Sequence, residues 1–157
     1  MADVQAADFR AAMGLLPAAV TVVSAPGRDG PAGATASAVT SLSLDPMLML
    51  ACLDRGSRTL LAVQAANRFG INVLGAEQGA VARAFSTKAP VSDKWEGIDW
   101  SQREGVPAIA GAIVWLVCEL HDVIAGGDHV IVTGEVLALE APGGEPLLHH
   151  RGVYRGL

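Results

Sequence analysis

The sequence predicts a mainly β domain with short helices, folded as a closed or half-closed antiparallel barrel. Three observations predict it. Apolar, β-branched runs of strand length recur along the chain; turn clusters rich in Gly and Pro separate them; and helical periodicity is confined to two or three short segments with no regular βαβ alternation. A length of 157 residues suits one domain spanning 1–157.

In chain order, Asp8 to Leu16 sets Phe9, Met13 and Leu16 at helical spacing, and Pro17 stops the helix. Ala19 to Ser24 is the first β-branched strand, followed by the turn cluster PGRDGPAG. Ala34 to Ser43 alternates small, hydroxyl and apolar residues as one strand until Asp45-Pro46 breaks it. Met47 to Leu53 is apolar throughout, as a strand buried on both faces should be. Ser57 can cap a helix running to about Asn67, with Leu60, Leu61 and Val63 on its apolar face. Phe69 to Leu74 is the next strand and Gln78 to Phe85 the next helix. Residues 86–107 lack periodicity and read as a long loop, which in a small domain usually serves function. Ile113 to Ile124 and Val130 to Leu139 form a hairpin about Ala125-Gly126-Gly127-Asp128, and PLLHHRGVYRGL is left as a short tail. The total is six or seven strands.

Composition excludes several classes of function. The chain is 51% apolar and 17% charged, which excludes disorder, and its net charge of −5 with scattered arginines argues against a nucleic-acid surface. Cys52 and Cys118 lie in apolar runs without metal-ligand spacing and read as buried thiols of a reducing cytoplasm. Neither a targeting segment nor a membrane span is expected, and no metal site. Because so apolar a chain has more surface to hide than one small domain conceals, a homodimer is expected.

Four segments could carry chemistry. In Gly33 to Ser43, small and hydroxyl residues fill nearly every position, so a flat ligand could lie against the backbone; an edge or interface strand packed closely would look the same. Cys52-Leu-Asp-Arg-Gly-Ser-Arg-Thr59 leaves a strand and enters a helix. Its free N–H groups, with Arg55 and Arg58, suit an anion, or else form an ordinary cap with solvated arginines. Arg83 and Ser86 could add to the same anion, and His129 stands in the hairpin turn, able to project from a rim into a cleft. Absent are a P-loop, a Rossmann fingerprint, a GxSxG elbow and an HExxH pair, so any enzymatic chemistry belongs to a cofactor.

Taken in order, GATASAVTSLSLDPMLMLACLDRGSRT (33–59), RFGINVL (68–74), ARAFS (82–86), GGDHVIVTGEV (126–136) and PLLHHRGVYR (146–155) resemble the short-chain flavin reductases, the small component of two-component flavin-dependent monooxygenases. The resemblance runs from about Phe9 to Arg155. It implies an FMN-binding split barrel acting as a homodimer, with FMN or FAD reduced by NADH, or as second choice NADPH, and the reduced flavin passed to a separate oxygenase. Carried over residue by residue, it implies that Thr35, Ala36, Ser37, Ala38 and Ser41 meet the isoalloxazine. Asp54, Ser57, Arg58 and Thr59 then lie toward the ribityl chain and phosphate, and Arg83, Phe85 and Ser86 close the other side. His129, as the catalytic position, would orient the nicotinamide, with Arg151 and Tyr154 bordering the same cleft. Ser37 departs from the family, which often has Asn there. The alternative is a barrel that binds flavin or a haem-like ligand as a carrier or sensor without turnover.

Overall fold

Turn chemistry and β-branched runs divide the chain into twelve strands and four helices in a computed structural model that describes residues 3–157. The helices are α1 (Ala6–Met13), α2 (Arg58–Ala66), α3 (Gly79–Phe85) and α4 (Val91–Trp95). The strands are β1 (Ala18–Ala19), β2 (Thr21–Ala25), β3 (Ala32–Ala36), β4 (Val39–Leu44), β5 (Met47–Asp54), β6 (Arg68–Val73), β7 (Trp100–Arg103), β8 (Val106–Ile109), β9 (Val114–Gly126), β10 (His129–Glu140), β11 (Leu148–His150) and β12 (Val153–Arg155). Among the described residues no helix is long and apolar enough to cross a membrane.

Seven strands form one antiparallel sheet in the order β3-β2-β6-β9-β10-β5-β4. Its two edges are β3 and β4, which are consecutive in sequence and joined only by Ser37 and Ala38. Two residues span less than about 10 Å, so the sheet must curl until its edges nearly meet. The expected barrel follows from that short connection. The β4–β5 ladder runs on into this connection, where the Cys52 N–H donates to the Ala38 carbonyl at 2.9 Å.

Inside the curl, Val23, Ala51, Leu53, Phe69, Ile71, Leu116, Cys118 and Val132 pack with Leu60 and Val63 of α2, so the helix stops one open side of the barrel. Gly134 of β10 is required there, because a Cβ would lie 2.6 Å from the Phe69 ring. Every residue of β2 is buried, since its second face meets another core of Val20, Val22, Leu74, Phe85, Trp95, Ile109 and Leu147 beneath α3 and α4. Ser24 and Asn72, sealed between the two cores, are paired. Ser24 Oγ donates to the Pro107 carbonyl at 2.6 Å, and Asn72 donates to the Val22 carbonyl and accepts from the Ile109 N–H.

Several expectations need correction. Residues 86–107 are not a loop: α4, β7 and the first half of β8 lie there, and the β7–β8 hairpin turns on Glu104 and Gly105, both at positive φ. The strand expected from Ala34 to Ser43 is two strands on opposite edges of the sheet, and the first strand breaks at Val20. The tail folds as a hairpin, with β11 paired to both β12 and β1. Each of these elements is two to six residues long, too short for periodicity to reveal.

Candidate functional site

The site grows from two turns that meet at one end of the barrel. β5 ends at Asp54 opposite His129, the first residue of β10, and the Arg55 N–H donates to the Asp128 carbonyl at 3.0 Å. Asp54 Oδ1 then accepts the Gly56 N–H at 2.7 Å, which tightens the turn and aims the chain into α2. Ser57 caps the helix, its Oγ accepting the Thr59 N–H at 3.1 Å. These turns open onto a cavity of about 520 Å³, walled by β3, the β5–α2 turn, α3, the segment leading to α4, His129 and the tail hairpin.

β3 forms the flat wall. Gly33, Ala34, Thr35 and Ser37 line the cavity with little side chain between the backbone and its contents. Glycine at 33 also has a packing reason, since a Cβ would lie 2.7 Å from the Phe85 ring and 3.1 Å from Trp95. Phe85 and Trp95 meet edge to face at 4.7 Å between centroids, so two aromatic rings press directly on the strand's backbone. The Thr35 hydroxyl donates to the Ala82 carbonyl at 2.7 Å and ties β3 to α3.

Positive charge collects at the α2 end. Arg58, Lys88 and Lys94 line the cavity, and among the described residues Asp54 is the only acid that does so. The two lysines are the only ones in a chain of net charge −5. Lys94 is half-buried, with Nζ 3.4 Å and 3.5 Å from the Gly33 and Phe85 carbonyls. Burial, and then the Arg58 guanidinium, hold its ammonium below the usual lysine value. Two neighbouring cations facing one cavity, the second partly desolvated, form a place that an anion would stabilise.

At the rim, His129 Nδ1 lies 2.8 Å from Asp128 Oδ1, which leaves Nε2 free of that contact. The hydrogen bond, together with the imidazole's charge, holds the exposed Asp128 carboxyl below its usual value. Among the described residues no group of three or more His, Cys, Asp and Glu could hold a metal ion.

A protein-family model described as the flavin reductase like domain matches residues 13–157. The chain belongs to the flavin reductase-like family. It is 42% identical to a probable flavin reductase of Rhizobium meliloti strain 1021, over 93% of this chain and 47% of that protein, so it spans about half of that relative's length. It is 38% identical to the flavin-dependent monooxygenase reductase subunit HsaB of Mycobacterium tuberculosis, over 99% of this chain and 84% of that one. Among solved structures it matches a Streptomyces globisporus NADH:FAD oxidoreductase, in complex with NAD and FAD fragments, with a TM-score of 0.90 and 35% identity over 98% of this chain and 96% of that one.

The geometry sorts the residues that the flavin reductase resemblance suggested. Thr35, Ser37, Asp54, Ser57, Arg58, Thr59, Phe85, Ser86, His129 and Tyr154 line one cavity. Five others lie off its wall. Strand alternation turns Ala36 into the barrel core, while Ala38 and Ser41 stand exposed at the β4 edge. Arg83 folds back over Gly79 of its own helix, and Arg151 sits in the β11–β12 turn at φ +52 with its N–H on the Gly14 carbonyl. Sequence reasoning missed Cys52, Lys88, Lys94 and His149. For the lysines a signal was present, because both fall within the stretch that lacked periodicity.

Proposed function

We propose that the chain is an NAD(P)H-dependent flavin reductase that takes flavin as a diffusible substrate. The observation that carries this is the pairing, in one cavity, of a flat small-residue wall with two cations, Arg58 at the α2 N-terminus and Lys94 of α4, whose mutual repulsion an anion would relieve. A planar ring bearing a phosphate tail fits that combination, and FMN and FAD both present it. Flavin supplies the redox chemistry, accepting at N5 the hydride that leaves C4 of NADH. The chain's own part is to hold and orient. Backbone at Gly33 to Ser37 supports the ring, Ser57 and Thr59 offer helix N-terminal contacts, and Arg58 and Lys94 neutralise the phosphate. His129, tethered by Asp128, orients the nicotinamide at the rim.

NADH is the favoured donor and reduced flavin leaves for a separate oxygenase, a partner supported by the relative named as a monooxygenase reductase subunit. The same proposal includes a homodimer, supported by apolar groups left in water: Phe9 and Met13 on α1, Leu16 just after it, and Leu42, Leu44 and Met47 along β4 and β5. Sedimentation should give twice the 16.1 kDa chain mass, and a monomer at micromolar concentration would remove the dimer. A cytoplasmic location belongs with it, supported by the free thiols Cys52 and Cys118.

Purified protein mixed with NADH and excess FMN tests the activity: NADH absorbance should fall much faster than in a protein-free control. A chain that purifies yellow and leaves NADH untouched would instead be a flavin carrier.

A further inference from the structure

The tail hairpin places a ring in the cavity to which the proposed reaction has so far given no task. β11 and β12 pair with His149 directly opposite Tyr154, and directly opposed residues share one face of the ladder. Both line the cavity, whereas alternation turns their neighbours His150 and Val153 to the other face. The two rings lie 5.4 Å apart between centroids at a tilt of 56°, the arrangement of an aromatic pair. Tyr154 is seated from below against the core of Val20 and Leu147. On its other edge β11 meets β1, where Ala18 stands opposite His149 and adds only a methyl group. His149 is therefore propped by Tyr154 and half-open toward the cavity.

Hydride transfer requires the donor ring to lie face to face with the flavin, with reacting atoms about 3–3.5 Å apart. If the flavin rests on Gly33 to Ser37, the donor ring covers the flavin's open face and needs a support of its own. Phe85 cannot supply it, because it is pressed against Gly33 and Trp95. We infer that the His149–Tyr154 pair is the stacking surface for the nicotinamide ring of the hydride donor, with His149 the contacting plane and Tyr154 its support. This rests on the flavin reductase reading and adds a donor-specificity residue to it.

The test measures NADH KM, kcat and, separately, FMN affinity by quenching of flavin fluorescence. His149→Ala should raise the NADH KM about tenfold, the upper end of what one ring contact contributes, with FMN affinity within about twofold of the parent. His149→Phe keeps a plane and should recover the KM to within about threefold. His150→Ala, on the opposite face, should match the parent. Three results overturn the inference: an unchanged NADH KM in His149→Ala, a KM that rises together with loss of FMN binding, or a Phe variant as weak as the Ala variant. Failure of the underlying reading shows separately, because the unsubstituted protein would then leave NADH unoxidised with FMN before any variant is compared.

Discussion

Gly33 and Lys94 show what single residues decide. Small residues at 33–37 were legible as room for a flat ligand, yet the nearest atoms to a Cβ at Gly33 belong to Phe85 and Trp95, more than fifty positions away in sequence. Only packing reveals that second reason. Gly33→Ala should cost about 1–3 kcal/mol through overpacking and should weaken FMN binding by displacing Phe85, as read by thermal melting and fluorescence titration. Lys94 was missed because a lone lysine carries no periodicity, and its meaning comes from Arg58 across the cavity. Its ammonium is held below the ordinary lysine value of 10.5, so the unfolded chain binds that proton more tightly than the folded one. The resulting penalty is complete at neutral pH and fades as pH rises toward 10.5. Lys94→Met should therefore be more stable than the parent at pH 7 in urea titrations, with the advantage shrinking in alkali, while its FMN affinity falls about tenfold. A variant that lost stability at pH 7 would mean that the ammonium's bonds to the Gly33 and Phe85 carbonyls outweigh the cost of its desolvation.

Elements divide by length. α2 was legible because Ser57 caps it and nine residues show an apolar face; Ser57→Ala should cost about 1 kcal/mol in chemical denaturation and also loosen the anion end of the cavity. The β7–β8 hairpin was not legible, since its strands have four residues each and its turn is Glu104-Gly105, not the Asn-Gly or Asp-Gly that announces such turns. Glu104 adopts φ +46 at a position that Asn occupies with less strain. Glu104→Asn should accordingly raise stability by about 0.5–1 kcal/mol without altering NADH oxidation, which melting and steady-state rates would check. The tail hairpin was read as a tail for the same reason of length, and its β1 partner has only two residues.

Across the whole molecule, closure of the sheet brings the site together. The β3–β4 connection carries the chain from one edge to the other, and the barrel so formed buries Cys118 completely, pushing its thiol pKa up to about 12. A Cys52→Ser variant should leave Cys118 unlabelled by a thiol reagent in the native state and labelled on denaturation; rapid native labelling would mean that the barrel opens locally. By itself the sequence determined the fold class, the capped helix, the β9–β10 hairpin and the family, because each rests on a long or ordered local pattern. Only the tertiary structure decided which candidates share a wall. Strand alternation took Ala36 into the core, helix geometry folded Arg83 over Gly79, and the hairpin turn held Arg151 aside, whereas Lys94 and His149 came in from elements too short for periodicity to aim their side chains. A side chain's direction depends on how its short element docks against the barrel, and that docking energy comes from residues distant in sequence.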